Sequence, residues 1–246
     1  VVAFTGRRGG VSDEPFDSLN LSFSVGARPE AVTANRRLVA GELGLPLRSW
    51  VLPRQVHGAR VRQVGASDAG CGALGHDTAL PDTDALFTAT GRLAVGVLTA
   101  DCVPLVVVDP GRPAVAVVHA GWRGALAGIA GSVARMLRER TEERRELLAL
   151  LGPHIGPCCF EVGGEVADAF ARRFGRRVLT TDGIRTCLDL GAAVGLDLEV
   201  SGIRPENVYR SGTCTACSNG YFSHRRGSPC GRQAALAMID GGGSGG

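Results

Sequence analysis

The stretch that most constrains this fold is a pair of continuous apolar runs, Leu105 to Asp109 and Ala114 to His119, separated by Pro110-Gly111-Arg112-Pro113. Runs of this length, Val-rich and without polar alternation, read as strands buried on both faces. A four-residue break containing Pro and Gly is of hairpin length. Pairing Asp109 with Ala114 sets the register, and Pro104 then faces His119. Cys102 lies two residues beyond Pro104, so its side chain shares the face of His119 at one diagonal step, roughly 7–8 Å away. Two donors at that separation can meet on a metal ion between them. Pro104 has no N–H, so the ladder is expected to loosen beside the pair and open a site there.

The segment after His119, Ala120-Gly121-Trp122-Arg123-Gly124, reads as a helix start. Free amides and the positive dipole end there favour an anion, and Arg123 adds charge for phosphate or carboxylate. Taken singly, Cys102 reads as a core thiol and His119 as a hydrogen-bonded structural histidine. Their shared face favours a metal pair over both readings. A third ligand comes from few choices, since the other histidines are His57, His76, His154 and His224. His57 sits at a strand end before Gly58, where an imidazole can project from a sheet. His154, in Gly152-Pro153-His154-Ile155, suits a site wall, and His76 lies in a polar loop with no assigned role.

Around this hairpin the chain alternates strands and helices. Pro29 to Leu43 is expected to be a helix, with Pro29 in its first turn, Gly44 as its stop, and Val32, Val39 and Leu43 as its apolar face. Asn35 falls on that inward face, so it is either satisfied structurally or lines a site. Trp50 to Val56, Ala59 to Val64, Leu93 to Thr99 and Leu147 to Leu151 read as strands. Gly121 to Arg138, Gly163 to Phe174 and Arg232 to Ile239 read as helices. The result is a mixed-sheet α+β or α/β fold. Residues 1–240 are expected to form a single catalytic domain and 241–246, Gly-Gly-Gly-Ser-Gly-Gly, a flexible Gly/Ser tail.

Composition narrows the class further. At 44% hydrophobic and 21% charged residues, the chain is globular rather than disordered. A net charge of +3, dispersed arginine pairs and only 5% aromatics argue against nucleic acid. No apolar run is long enough for a bilayer, and no signal peptide is expected at the N-terminus. Eight cysteines then read as reduced thiols or ligands of a cytoplasmic protein. Cys214-x2-Cys217-x6-His224-x5-Cys230 resembles a zinc knuckle with over-long spacings, and a metal there is the lesser reading. Cys71, Cys158 and Cys159 are read as structural or surface thiols.

At these residues the sequence resembles the bacterial YfiH-like family, known both as multicopper polyphenol oxidoreductases with a laccase domain and as purine nucleoside phosphorylases. The likeness runs through Gly9-Gly10-Val11-Ser12, Ser18-Leu19-Asn20-Leu21, Asn35-Arg36, Gln55-Val56-His57-Gly58 and Asp84-Ala85-Leu86. It continues through Ala100-Asp101-Cys102-Val103-Pro104, His119-Ala120-Gly121-Trp122-Arg123-Gly124, Gly152-Pro153-His154-Ile155 and Phe222-Ser223-His224-Arg225-Arg226. The joined order of these motifs is specific, although no single one is. The resemblance implies an α+β fold of layered mixed β-sheets flanked by helices, like the catalytic domain of cytotoxic necrotizing factor toxins. It also implies zinc ligands at His57, Cys102 and His119. One departure is His224, where the family usually carries an aromatic residue, often Tyr. An essential ligand at that position is therefore not expected.

Three protein ligands leave a fourth zinc position open, the arrangement of a catalytic site, and zinc can bring the pKa of bound water to about 7. The implied activities are phosphorolysis of purine nucleosides, including methylthioadenosine, and deamination of adenosine. Arg36, Arg123 and Arg225 are the phosphate candidates, and Asn20, Asn35, Gln55 and His154 join them as substrate-binding candidates. Asp101 is a candidate acid/base or ligand-orienting group, with strand-end capping as its plainer role. Partners are a nucleoside and phosphate, with no nucleic acid or membrane, in a monomer or homodimer. Two other activities compete. Copper in a Cys-His-His site would support laccase-like oxidation, since Cu(II) outbinds zinc on affinity. A multicopper centre, however, needs more histidines than the five present. A metal-free Cys102–His119 pair would make a hydrolase or amidase.

Overall fold

The structure is a computed structural model, and it describes residues 1–139 and 146–240. The expected Gly/Ser tail lies outside the described residues. Four layers stack in the order helix, four-stranded sheet, six-stranded sheet, helices. The six-stranded sheet runs Val208–Arg210, Leu148–Leu151, Val103–Asp109, Ala114–Ala120, Ala85–Thr88, Val61–Gln63. The four-stranded sheet runs Val2–Phe4, Gln233–Met238, Ala94–Thr99, Trp50–Val51. Both mix parallel and antiparallel pairs. No helix among the described residues is long and apolar enough to cross a membrane.

Period-2 alternation builds the layers. On the hairpin, Leu105 and Val107 face the outer helices while Val106 and Val117 face the second sheet. Between the sheets, Val95, Val97, Ala235 and Ala237 meet Leu86, Val106 and Val117. Each such Val or Leu, almost wholly removed from water, contributes roughly 1.5–3 kcal/mol by burial. Helices Ile129–Arg138, Gly164–Phe174 and Leu190–Val200 cover the outer face of the large sheet through Val133, Phe170 and Val194. Helix Pro29–Leu43, with the predicted bounds and Gly44 at φ 64°, lies on the side of the small sheet through Val39.

Three expectations are corrected. The segment expected as a helix from Arg232 to Ile239 is a strand, Gln233–Met238, paired with Val2–Phe4 and Ala94–Thr99. Ala, Leu and Met favour helix locally. Here Ala234, Leu236 and Met238 face one core while Ala235 and Ala237 face the other, and burial on both sides overrides propensity. The helix expected over Gly121 to Arg138 is two, Trp122–Leu126 and Ile129–Arg138, separated at Gly128 with φ 78°. That left-handed residue suits glycine, and an added Cβ there would stand 2.7 Å from Arg173 Nη2. The strand expected from Trp50 to Val56 is regular only over Trp50–Val51, because the chain then turns toward Leu80 and the 57–58 bend.

Candidate metal centre and cavity

The hairpin forms in the predicted register, with Asp109 opposite Ala114 and Pro104 opposite His119. Contrary to expectation, pairing does not loosen at Pro104; it continues to Val103 opposite Ala120. The Pro104 carbonyl accepts from Gly152 N at 2.9 Å, on the side away from the hairpin partner. In an antiparallel strand the N–H and C=O of one residue point to the same side, so the missing N–H removes nothing from the hairpin. The break comes at Asp101, whose φ of 93° turns the chain just before Cys102.

Asp84 organises the site. Its carboxylate, at zero exposure, accepts from Val56 N at 3.2 Å, His57 N at 2.9 Å and Gly58 N at 2.8 Å. Those three bonds hold the bend in which His57 takes φ 60°. Asp84 Oδ1 also meets His119 Nδ1 at 2.8 Å, while the Asp84 carbonyl accepts from His119 N at 2.8 Å. One carboxylate thus fixes two imidazoles that lie far apart in sequence. Burial alone would raise the Asp84 pKa, but the bond and charge of His119 with the Gly58 and Val56 amides hold it below the usual range. With the Nδ1 proton given to Asp84, Nε2 of His119 is left to ligate, the arrangement in which a carboxylate fixes the tautomer of a metal-bound histidine.

One donor atom from each of His57, Cys102 and His119 lies within 4.8 Å of the other two. The two imidazoles meet edge to face at 4.7 Å. Burial raises the Cys102 pKa, but the charges and hydrogen bonds of His119 and His57 outweigh it and bring the thiol down to about 6. Burial in turn lowers that of His119, but the Cys102 thiolate and Asp84 lift it to about 9. Gly121 forms one wall, where an added Cβ would meet His57 Cδ2 at 3.1 Å and Cys102 Sγ at 3.2 Å. Two imidazoles, a thiolate-prone cysteine and a cradle that a side chain would fill suit zinc, and the same donors suit copper. Gly121→Val is expected to weaken metal binding by about tenfold, equivalent to about 1.4 kcal/mol, as read by chelator competition.

These residues border a cavity of about 460 Å³, a size ordinary for small-molecule sites. Phe23, Trp122 and Phe160 supply aromatic surface, and Arg123, Arg225 and Arg232 supply positive charge. Arg123 is exposed and stacks on Trp122 at 4.3 Å. Its helix, Trp122–Leu126, is about one turn long, so charge rather than a long helix dipole is what Arg123 offers an anion. Arg225 is exposed over Phe160, and its guanidinium donates to the Cys159 and Glu161 carbonyls.

Several expected substrate groups make structural hydrogen bonds. Asn35, fully buried, binds Val11 N, Ser12 Oγ and the Ser18 and Asn20 carbonyls. Asn20, also fully buried, ties Ser22 and Arg232 N. Neither lines the cavity. Arg36 borders it, but its guanidinium donates to the Leu21, Gly72 and Ala73 carbonyls, and burial lowers its pKa to about 9. His154 is buried outside the lining, with Nδ1 against the Gly152 carbonyl at 2.7 Å. Gln55 lines the cavity while its amide pairs with the Leu98 backbone at 2.8 Å in both directions. Asp101 lines it too, but its carboxylate accepts from Thr215 Oγ1 at 2.6 Å and Arg225 N at 2.7 Å, which favours orienting over acid/base work.

Sequence reasoning misses Asp84, for which an acidic residue directly before the apolar strand Ala85–Thr88 is the available signal. His76, left without a role, borders the cavity, as does His224. The knuckle grouping does not form, because Cys214 and Cys217 converge with Cys158 and Cys159 rather than with His224 and Cys230.

The sequence matches the family described as multi-copper polyphenol oxidoreductase laccase over residues 1–240. A Geobacillus stearothermophilus relative named purine nucleoside phosphorylase YlmD is 37% identical over 232 residues, covering 92% of this chain and 85% of that one. A relative from an unknown prokaryotic organism, named adenosine deaminase RL5, is 35% identical over 232 residues, covering 92% and 88%. The crystal structure of YfiH from Bacillus licheniformis superposes with a TM-score of 0.92 at 34% identity, covering 97% of this chain and 92% of that one.

Proposed function

The chain belongs to the multi-copper polyphenol oxidoreductase laccase family, and from that membership we propose that it is a zinc-dependent purine nucleoside phosphorylase. The observation that carries the reading is the convergence of His57, Cys102 and His119 beside a cavity with aromatic and cationic lining. The name of the Geobacillus relative supports the substrate class. In this reading Phe23, Trp122 and Phe160 present faces on which a purine can stack. Arg123 and Arg225 hold phosphate near the ribose. A phosphate oxygen bonds C1′ as the bond from C1′ to the purine nitrogen breaks, and the purine leaves with the bonding pair and takes up a proton. Holding phosphate and nucleoside together makes the attack effectively unimolecular, and the arginines offset charge at the reacting centre. Asp84 keeps the His119 proton on Nδ1, and Asp101 seats the Arg225 backbone beside the cavity. Zinc held by His57, Cys102 and His119 would supply a Lewis acid with an open fourth position.

Incubation with adenosine, inosine or methylthioadenosine, with and without phosphate, tests the reading. Base release that depends on phosphate, with ribose 1-phosphate as co-product, is the expected result. No change in any nucleoside under any metal loading would overturn it. Arg123→Ala is expected to raise the KM for phosphate about 10–100-fold, the loss of one or two charge-assisted hydrogen bonds, with thermal stability almost unchanged. The deaminase name of the second relative favours adenosine deamination as a companion activity, seen as inosine formed without phosphate. Multicopper oxidation is disfavoured by the ligand supply, because only two of the five histidines join the centre. Thiol labelling of Cys102 that persists with activity through chelation would favour the metal-free hydrolase.

A further inference from the structure

A second donor cluster lies outside the cavity. Cys158 and Cys159 come from the loop after strand Leu148–Leu151, and Cys214 and Cys217 from the loop after Val208–Arg210. One sulfur from each lies within 4.8 Å of the other three. Cys217 Sγ stands 3.6 Å from Cys158 Sγ and 3.4 Å from Cys159 Sγ. Four thiolates around zinc at about 2.3 Å form a tetrahedron of about 3.8 Å on an edge, close to these separations.

The surroundings are built for such a centre. Gly156 N donates to Cys214 Sγ at 3.2 Å, and the Cys217 and Ala216 amides also favour its thiolate. An added Cβ at Gly156 would press on Cys158 Sγ and Cys214 Cβ, both at 3.3 Å, so a side chain there would crowd the sulfurs. A disulfide joins only two cysteines, whereas one divalent cation can be shared by four sulfurs brought to one point. We propose that Cys158, Cys159, Cys214 and Cys217 bind a structural metal ion, zinc by chemistry, distinct from the His57–Cys102–His119 centre.

With four protein ligands the ion has no open position, so its role is to clip two loops together. Those loops meet in an isolated bridge between His154 and Cys214, and both reach the cavity wall. Thr215, next to Cys214, binds the carboxylate of Asp101, which precedes Cys102. The Cys159 carbonyl accepts from the Arg225 guanidinium at 2.9 Å. The clip therefore sets the seating of Asp101 and Arg225 from outside the cavity.

The test is metal content by elemental analysis of full-length protein purified under reducing conditions without chelator. Cys102→Ser is expected to retain zinc, whereas Cys102→Ser combined with Cys214→Ser, or with the exposed Cys217→Ser, loses that ion. The comparison does not depend on any nucleoside activity or on what the first centre binds. Cobalt substitution of Cys102→Ser protein should give strong sulfur-to-cobalt charge-transfer absorption that disappears in the double variants. If the double variants fail to fold, chelator added to the Cys102→Ser protein should lower its Tm by roughly 5–10 °C and expose four alkylatable thiols. Cys102→Ser protein without metal, or with Cys158 or Cys159 in a disulfide, would overturn the proposal, as would cobalt absorption that persists without Cys214.

Discussion

Cys102→Ala is expected to remove the ion held with His57 and His119 and to lower turnover at least about 10³-fold, on the order of 4 kcal/mol. The thiol is the softest of the three donors and the one whose pKa is brought down to about 6 by its two imidazole neighbours. Without it, two histidines remain, too few to hold zinc at low concentration. Cys102 is only partly buried, and its truncation leaves the strands and Asp84 untouched, so the melting temperature of the metal-free protein should change little. Metal analysis beside nucleoside turnover reads the result. A variant with normal phosphorolysis and no ion at this centre would sink the zinc-dependent reading. Loss of turnover with the ion retained would move catalysis to the thiol itself.

Asp84→Ala carries the second large effect. It withdraws the acceptor of Val56 N, His57 N, Gly58 N and His119 Nδ1 at once, from a carboxylate that is itself fully buried. Breaking its buried pair with His119 costs about 3–5 kcal/mol, since the imidazole remains buried and unmet. For a chain of this length, that lowers Tm by roughly 6–20 °C. Asp84→Asn keeps the shape but offers one carbonyl oxygen and an NH₂ group, which cannot accept from His119. It is expected to fold, with metal affinity about 10–100-fold weaker, as for other residues that orient a metal-bound histidine. Unfolding curves of the metal-free proteins and competition with a chelator separate the two effects. An Asn variant that binds metal as tightly as the original would show that His119 needs no orienting carboxylate.

Some of this was legible from the chain and some was not. The Cys102–His119 pairing was legible because hairpin register follows from loop length and alternation over about twenty neighbouring residues. The same local logic gave helix Pro29–Leu43, with its Pro start and left-handed Gly44 stop. It failed at Gln233–Met238, where Ala, Leu and Met signal helix and only two flanking strands and two cores impose an extended chain. Nor does it reach the hydrogen bonds by which Asn20, Asn35, Arg36 and His154, polar residues in characteristic motifs, close loops.

The sequence by itself determined a mixed fold of strands and helices and the meeting of one thiol with one imidazole, because pairing over short separations is fixed by side-chain period and turn length. Only the tertiary structure decided that Asp84 ties the 56–58 bend to His119, and that Cys158 and Cys159 face Cys214 and Cys217 across as many as 59 positions of chain. Contacts between remote loops depend on how the sheets stack and where each strand ends. That is settled by burial of the whole core, and no local pattern carries it.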